Sequence, residues 1–463
     1  MKAIMVGGTT SSAGKSLLAM AICRILAKRG YDVAPFKAQN MSLNSFVTKR
    51  GKEIAIAQAM QAFAAGIEPD ERMNPILLKP KGNFVSQLII LGEAVGDISS
   101  LEYYKRVPEL KKFVEEAYRS LAGEYEIIVI EGAGGMAEIN LYERDLANLF
   151  IARLAKPRIL LVGDIDRGGV FASLYGTYSL LPEDVRGMID GFIINRLRGR
   201  EDLLLEGIRK LEDITKVPVV AVIPYLNSPF PSEDSLNIEE WKGSGLIGIV
   251  RLPRISNFTD FEYLRSVASF LDLKSKPECE ILIIPGSKDT IADLKELKNS
   301  RMAEEIKKMA GKKLIIGICG GYQMLGKKIE DRGVEHGHLT IKGLGLLNAE
   351  TRFESYKKIT VQVSKKVTGD AEILKRIKGE IVWGYEIHKG VTVADRPIFE
   401  DEGCQSDDGM CWGTYLHGLF WNQNVIRAVG EYLGVKIEHR DWLEVLVSEV
   451  EKRLGSFLEK LIG

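Results

Sequence analysis

Short runs rich in valine and isoleucine alternate with helix-period stretches through the first half of the chain, and this alternation constrains the fold most strongly. Glycine, proline or a polar turn bounds each run, and the continuous apolar character is typical of parallel strands buried on both faces. The pattern predicts an α/β fold with a doubly wound, mostly parallel sheet. The candidate strands are Ala3–Val6, Val33–Phe36, Ile127–Ile130, Ile159–Val162, Gly191–Asn195 and Val219–Ile223.

The alternation breaks after residue 224 and resumes near residue 245, which indicates two domains joined by a linker. The intervening segment combines prolines with acidic and small residues, a composition typical of interdomain connections. A second α/β unit follows, whose clearest buried strands are Ile281–Ile284 and Leu314–Ile318. We therefore predict a first domain at 1–224, a linker at 225–244 and a second domain at 245–463. The apolar residues from Trp442 to Leu461 have helical spacing, and we expect this tail to pack against the second domain.

Composition excludes several classes of protein. Lysine plus arginine and aspartate plus glutamate both number 63, so the net charge provides no general attraction to nucleic acid or to an anionic membrane. The five cysteines show no paired spacing, and we find no signal peptide or apolar run of membrane-spanning length. We expect a cytoplasmic protein without nucleic-acid or membrane partners, and the sequence is compatible with a homo-oligomer.

The first candidate strand leads into the segment GGTTSSAGKS and then into a helical pattern. In such a loop, backbone N–H groups and the helix N-terminus surround phosphates, a lysine adds a charge, and a serine ligates Mg²⁺. The alternative is a glycine-rich turn that only caps a helix. We favour a nucleotide site formed by Gly8, Thr9, Ser12, Gly14, Lys15 and Ser16.

Five residues separate Gly8 from Gly14, one more than in the common P-loop, and this spacing resembles dethiobiotin synthetase and its relatives. The resemblance implies ATP-dependent phosphorylation of a carboxylate oxygen. It also implies that Glu131, at the end of a strand, holds Mg²⁺ and that Asn195 reads the adenine edge; either residue could instead belong to an ordinary turn. Partitioning ATPases carry an additional lysine early in this loop, and here that lysine is absent.

A second motif, Cys319-Gly320-Gly321, joins the strand Leu314–Ile318 to a helical pattern. A cysteine at such a turn projects from the sheet, and the helix N-terminus favours its thiolate. Gly286 lies in the loop that follows the candidate strand Ile281–Ile284. The backbone amide of Gly286 could form an oxyanion hole together with that of Gly320. The alternative is a buried structural thiol, which we assign to Cys23 and Cys279 instead.

Five histidines are available as a base, and His417 is the best candidate because it also follows an apolar strand. His388 is either a polar strand-end residue or a substrate contact. His336 and His338 belong to a loop for which a metal site is disfavoured, because no carboxylate or cysteine is patterned around them.

The segment GICGGYQMLG resembles the nucleophile region of class I, triad-type glutamine amidotransferases. The resemblance implies that Cys319 forms a thioester with glutamine and releases ammonia, with His417 as acid and base. Members of this class usually carry His-x-Glu, whereas this chain reads His417-Gly418-Leu419. The site therefore either works as a dyad or takes its carboxylate from Glu386 or from another acid.

Further stretches resemble the cobyric acid synthase family across nearly the whole chain: APFKAQNMSLNS, MNPILLKP, EGAGGMAEINL, DIDRGGVFASL, GFIINRLRG and GYEIHKG. The resemblance implies amidation of the b, d, e and g carboxylates of adenosylcobyrinic acid a,c-diamide, a corrinoid, at the expense of glutamine and ATP. The alternatives are a sister amidotransferase that acts on the a and c carboxylates or on a cell-wall lipid intermediate, and a nucleotide-switched regulator with an inactive glutaminase-like domain.

Several polar residues at strand ends are candidates for binding the substrate. Lys37 could neutralise a carboxylate and the incoming phosphoryl group, or it could be a solvated lysine. A polar loop beyond it could bind the amides of corrinoid side chains. Asp166 and Arg167 follow a buried strand, where metal, substrate and salt-bridge roles all remain open. The loop residues are Gln39, Asn40 and Asn44.

Overall fold

A computed structural model describes residues 2–82, 84–226, 241, 243–356, 358–437 and 442–463. Within these residues the chain forms two compact units. The first comprises 2–42, 52–226 and 442–463, and the second comprises 43–51 and 241–437. Most of the predicted linker, 225–244, lies outside the described residues.

Strands of the first half are β1 (Lys2–Gly8), β2 (Val33–Phe36), β3 (Gln39–Met41), β4 (Ser45–Val47), β5 (Glu53–Ala55), β6 (Ile76–Gly82), β7 (Val85–Ile90), β8 (Glu93–Ser99), β9 (Ile127–Glu131), β10 (Arg158–Asp164), β11 (Ile189–Leu197) and β12 (Val219–Pro224). Those that follow are β13 (Ile247–Val250), β14 (Ile255–Ser256), β15 (Ala268–Leu271), β16 (Ile281–Ile284), β17 (Gly286–Ser287), β18 (Leu314–Ile318), β19 (Lys328–Arg332), β20 (His338–Lys342), β21 (Ala349–Phe353), β22 (Ile359–Lys366), β23 (Ile381–His388), β24 (Val391–Ala394), β25 (Cys404–Gln405) and β26 (Cys411–Thr414). The α-helices are α1 (Lys15–Lys28), α2 (Ile56–Ala64), α3 (Ser100–Glu124), α4 (Ile151–Ala155), α5 (Val170–Leu180), α6 (Glu183–Arg186), α7 (Leu205–Thr215), α8 (Thr290–Lys298), α9 (Arg301–Met309), α10 (Gly320–Leu325), α11 (Gln423–Leu433) and α12 (Trp442–Ile462).

The first unit is built on a parallel sheet of six strands in the order β12-β11-β10-β1-β9-β2. These are the six strands that the sequence predicts, so the expected α/β fold is confirmed. Alternate side chains of each strand enter different apolar clusters, one with α1 and one with α3 and α5. Because both faces are covered, the ligand-accessible edge is the one at the carboxyl ends of the strands.

Helix α12 packs on the first unit, so the expectation that this tail packs against the second domain is wrong. Its apolar stripe, which includes Leu446, Val450 and Leu454, joins the cluster formed by α1 and the sheet. Arg24 of α1 donates to Glu444, which adds charge complementarity to the apolar contact. The spacing of the apolar residues predicts a buried stripe but does not specify which surface covers it.

The second unit contains a six-stranded sheet in the order β15-β13-β16-β18-β26-β25, parallel except for the last pair. The two clearest strands that the sequence predicts in this region, Ile281–Ile284 and Leu314–Ile318, are β16 and β18. They lie at the centre of this sheet. The exposed strand pair expected around ITVQVSKKV is formed by β22 and β23, which run antiparallel. None of the helices in the described ranges has the length and apolar character needed to span a membrane.

Candidate active site

The loop between β1 and α1 has the geometry of a phosphate cradle. Gly14 precedes α1 with φ 97°, a left-handed conformation that glycine adopts without strain. The Lys15 ammonium folds over the loop and donates to the carbonyl oxygens of Thr10 (2.9 Å) and Gly134 (3.0 Å). A side chain at Gly8 would meet Lys15, since a Cβ there would lie 2.8 Å from its Cδ. The structure therefore brings Gly8, Gly14 and Lys15 together, while Thr9 and Ser12 lie in the same loop.

Glu131, at the end of β9, is the centre of a buried polar cluster in the first unit. Its Oε1 accepts hydrogen bonds from Ser16 Oγ and Lys37 Nζ, both at 2.7 Å. Its Oε2 accepts from Gln58 Nε2 (3.1 Å) and Gln61 Nε2 (2.5 Å). The carboxylate is fully buried, so these donors and the lysine charge compensate for its lost hydration. Lys37 is thus part of this cluster and is not a solvated residue.

The cluster has the donors that Mg²⁺ prefers. Ser16 and Glu131 supply oxygen atoms 2.7 Å apart beside the phosphate loop, and Gln61 Oε1 is buried without a hydrogen-bond partner. Magnesium binds through one or two carboxylates together with waters and phosphate oxygens, so these residues fit the ion. In the described part of the chain, no group of three or more His, Cys, Asp or Glu side chains forms a metal site.

Asn195 lies against the phosphate loop at the end of β11. Its Nδ2 donates to the carbonyl oxygen of Ala13 (2.8 Å), and its Oδ1 accepts from the backbone N–H of Arg196 (2.9 Å). Contact with the loop is close, since a Cβ at Gly14 would lie 2.2 Å from Asn195 Nδ2. The observed role of Asn195 is to brace the loop, and recognition of adenine stays a prediction.

The three polar residues expected to bind corrinoid amides differ in their surroundings. Asn40 is buried and joins the Glu131 cluster, because its Nδ2 donates to Gln58 Oε1 (2.9 Å). Gln39 lies beside it in β3 and is half-buried. Asn44 belongs to the second unit, where its Oδ1 accepts from the backbone N–H of Phe258 (3.1 Å). The side chain of Asn44 is thus engaged in local structure of the second unit.

Asp166 and Arg167 follow β10 and are both exposed. Asp166 forms an ion pair with Arg198 (2.6 Å), and Asp164 forms one with Arg196 (2.8 Å). The Arg198 guanidinium lowers the pKa of the Asp166 carboxyl. Of the roles left open for Asp166, the structure shows the salt bridge.

Cys319 lies at a sharp turn between β18 and α10 in the second unit. Its backbone has φ 51° and ψ −106°, a strained conformation of the kind found at nucleophile elbows. The helix begins at the next residue, so the thiol lies at a helix N-terminus, where negative charge is favoured. Gly321 must lack a side chain, since a Cβ there would lie 1.9 Å from the carbonyl oxygen of Ile284. Cys23, by contrast, is fully buried in α1, and burial raises the pKa of its thiol.

Gly286 and Gly320 lie next to this turn, as the oxyanion prediction requires. A Cβ at Gly320 would lie 2.9 Å from the backbone nitrogen of Ser287, so the elbow packs directly on the loop after β16. A Cβ at Gly286 would lie 3.4 Å from His417 Cε1. The two glycines therefore flank the Cys319–His417 pair, and their use as an oxyanion hole stays a prediction.

His417 is oriented by a carboxylate that the sequence patterns do not reveal. Its Nδ1 donates to Asp260 Oδ2 (2.6 Å), and the other oxygen of Asp260 accepts from the backbone N–H of Gly418 (3.0 Å). Burial alone would lower the pKa of His417, but Asp260 and the nearby Cys319 outweigh it and raise the pKa to about 10. Since Nδ1 is bound to Asp260, Nε2 is the ring nitrogen available to Cys319.

Glu386, the named alternative for the third catalytic group, is paired elsewhere. Its Oε1 lies 2.8 Å from Lys365 Nζ, and its Oε2 lies 3.5 Å from His388 Nε2. His388 donates from Nδ1 to the carbonyl oxygen of Gly390 (2.7 Å), and its ring stacks on Tyr415. Glu386 is therefore a partner of Lys365 and His388, and the acid that orients His417 is Asp260.

Three contributors are missing from the sequence analysis: Asp260, Gln58 and Gln61. Asp260 lies 157 positions before His417 on a 3₁₀ segment, Phe258–Leu264, that no apolar period marks. The two glutamines interrupt the apolar face of α2 three positions apart, which places them on one side of the helix. That pair of polar residues on a buried helix is the signal that could have identified them.

Two family descriptions match successive parts of the chain. Residues 4–233 match the CobQ/CobB/MinD/ParA nucleotide binding domain. Residues 246–425 match the CobB/CobQ-like glutamine amidotransferase domain. The first match contains the phosphate loop and Glu131, and the second contains Cys319, His417 and Asp260.

Curated relatives align with this chain along almost its entire length. A probable cobyric acid synthase of Archaeoglobus fulgidus is 69% identical over 457 residues, covering 98% of each chain. A probable cobyric acid synthase of Methanosarcina mazei is 50% identical over 479 residues, covering 99% of this chain and 98% of the relative. A solved structure of the signal recognition particle receptor FtsY from Elizabethkingia anophelis covers 48% of this chain and 56% of its own, with 15% identity and a TM-score of 0.30, which is too low to inform on the fold.

Proposed function

Because the chain belongs to the cobyric acid synthase family, we propose that it amidates the b, d, e and g carboxylates of adenosylcobyrinic acid a,c-diamide. Glutamine supplies the nitrogen, ATP activates each carboxylate, and the product is adenosylcobyric acid. The observation that carries the proposal is the Cys319–His417–Asp260 arrangement, which has the parts of a glutaminase. A nucleotide-binding domain in the same chain provides the activating half of the reaction.

In the second unit, the Cys319 thiolate attacks the side-chain amide carbon of glutamine, and the N–H groups of Gly286 and Gly320 stabilise the oxyanion. His417 transfers its Nε2 proton to the departing nitrogen, which leaves as ammonia, and a glutamyl thioester remains on Cys319. His417 then takes a proton from water, and attack by the resulting hydroxide on the thioester releases glutamate and restores the thiolate. Asp260 keeps Nδ1 occupied, so that Nε2 performs both proton transfers.

In the first unit, an oxygen of the corrinoid carboxylate attacks the γ-phosphorus of ATP, and the bond to ADP breaks. The chain contributes charge and position: Lys15 and Lys37 offset the negative charge of the phosphoryl oxygens, and the N-terminus of α1 faces the phosphates. Mg²⁺ held by Ser16 and Glu131 would neutralise further charge on the β- and γ-phosphates. Ammonia attacks the acyl phosphate carbon, phosphate leaves, and an amide is formed.

Incubation of the full chain with glutamine, ATP, Mg²⁺ and adenosylcobyrinic acid a,c-diamide tests this function by mass spectrometry. Because each amidation replaces a hydroxyl group with an amino group, we expect the corrinoid to lose about four mass units in all, one for each amide. Cobyrinic acid, whose a and c carboxylates are free, is the control substrate for a sister amidotransferase. A diamide that keeps its mass while cobyrinic acid is converted would contradict the proposal, as would the absence of glutamine consumption with either corrinoid.

A further inference from the structure

Gln61 contains a buried carbonyl oxygen for which the protein provides no partner. Its Nε2 donates to Glu131 Oε2 (2.5 Å) and to the backbone oxygen of Ser16 (3.3 Å). Its Oε1 has no hydrogen-bond partner, although the residue is completely buried. Leaving a carbonyl oxygen unsatisfied inside a protein is destabilising, so such an atom next to a phosphate loop indicates a missing ligand.

The orientation of this carboxamide is fixed by its neighbours. Glu131 Oε2 and the Ser16 carbonyl oxygen are both acceptors, so only the nitrogen of Gln61 can face them. Rotating the amide by half a turn would place an oxygen against two oxygens. The unpartnered atom is therefore an acceptor, and the ligand that satisfies it must be a hydrogen-bond donor or a cation.

Gln58, one turn earlier in α2, provides an internal comparison. It also donates to Glu131 Oε2 (3.1 Å), but its own Oε1 accepts a hydrogen bond from Asn40 Nδ2 (2.9 Å). Both glutamines thus hold Oε2 of Glu131 and leave Oε1 directed to Ser16 and Lys37. Of this pair, only Gln61 has a carbonyl oxygen that accepts no hydrogen bond.

We propose that Gln61 Oε1 accepts a hydrogen bond from a water molecule of the hydrated Mg²⁺ that Ser16 and Glu131 bind with ATP. Mg²⁺ dehydrates reluctantly and usually keeps several waters, and each of these waters is a strong donor. Gln61 is then a positioning residue: its nitrogen orients the carboxylate that binds the ion, and its oxygen orients the water shell. This inference deepens the proposed function and rests on it.

The test compares the full chain with Gln61→Met, which keeps the size of the side chain and removes both polar ends. Calorimetry without glutamine or corrinoid gives the ATP dissociation constant in Mg²⁺ and in EDTA, and their ratio is the metal-dependent gain. We expect Gln61→Met to reduce this gain about tenfold while ATP binding in EDTA changes little, since partners of metal ligands contribute about 10- to 100-fold to metal affinity. Gln58→Met removes the other amide donor to Glu131 but no unpartnered oxygen, so it should lose clearly less of the gain than Gln61→Met.

Gln61→Glu makes the test independent of whether the methionine variant folds, because it keeps an acceptor oxygen and opposes Glu131 in the absence of metal. We expect its melting temperature to fall in EDTA and to recover with Mg²⁺ and ATP. An unchanged gain in Gln61→Met, or an equal loss in Gln61→Met and Gln58→Met, would overturn the inference and leave the proposed function intact. The inference would also be overturned if Mg²⁺ and ATP failed to restore the melting temperature of Gln61→Glu. A wild-type chain without any metal-dependent gain would instead contradict the metal site of the proposed function.

Discussion

Replacement of Cys319 by serine is expected to abolish amidation with glutamine while amidation with ammonium salts continues. A serine hydroxyl is far less acidic than a thiol, and the elbow provides no second nucleophile for the glutamine amide. The expected loss in glutamine-dependent turnover is on the order of 10³-fold or more, as for other enzymes that lose their nucleophile. Ammonia bypasses this step, and the nucleotide site of the first unit is unaltered.

The measurement is the rate of corrinoid amidation with glutamine and, separately, with ammonium chloride at a pH that supplies free ammonia. Cys279→Ser is the matched control, because Cys279 is also a buried thiol of the second unit but lies two residues before β16, at the end of that strand away from the elbow. The control should keep both activities. Equal loss of both activities in Cys319→Ser would mean that the cysteine serves structure or activation instead of ammonia release.

Asp260→Asn is expected to lower the turnover number for glutamine hydrolysis by up to about 10⁴-fold, the loss for the equivalent change in a nucleophile–histidine–aspartate triad. The asparagine oxygen can still accept from the backbone N–H of Gly418, which directs its amide nitrogen at His417 Nδ1. His417 must then carry its single proton on Nε2 and accept at Nδ1, so the ring is held neutral and cannot take up a second proton from Cys319 or from water. Ammonia-dependent amidation should remain near the wild-type rate.

Glu386→Gln is the control that separates the two candidate acids. Glu386 contacts Lys365 and His388, so its neutral replacement should affect stability more than the turnover number for glutamine hydrolysis. A large loss of turnover in Glu386→Gln with a normal rate in Asp260→Asn would reverse the assignment.

The contact between Asp260 and His417 should also make the stability of the folded chain depend on pH. The pKa of His417 is raised from 6.5 to about 10 in the folded chain, so the folded state binds more protons than the unfolded state between these values. The stabilisation is complete below about pH 6.5 and is lost as the pH rises through about 10. Denaturant unfolding followed by tryptophan fluorescence should therefore show the largest difference between wild type and Asp260→Asn below about pH 6.5. A difference that grows with pH would contradict this ion pair.

The sequence predicts the sheet of the first unit well because buried parallel strands have a distinctive composition. All six predicted runs are strands, and β2 has the predicted bounds. Cys319 and His417 could be identified for a related reason, since each follows an apolar run that ends in a glycine-containing turn. In these cases the chemistry and the local fold are encoded in the same short segment.

Features that depend on contacts between distant segments could not be predicted in this way. Asp260 reaches His417 across 157 positions, and no local pattern marks a carboxylate for that contact. The sequence of helix α12 predicts an apolar stripe, but it does not predict that α1 and β12 pack against this stripe. The sequence places Asn40 and Asn44 in one polar loop, but Asn40 belongs to the first unit and Asn44 to the second.

In the reaction that we propose, one chain releases ammonia from glutamine at Cys319 and transfers it to a corrinoid carboxylate activated by ATP. Glutamine labelled with nitrogen-15 at its side-chain amide tests it most directly, in a reaction free of ammonium that contains ATP, Mg²⁺ and the corrinoid diamide. We expect every new amide to carry the label, and we expect no labelled product when ATP is omitted or when Cys319→Ser is used. Unlabelled amides, or labelled amides made by Cys319→Ser, would contradict it.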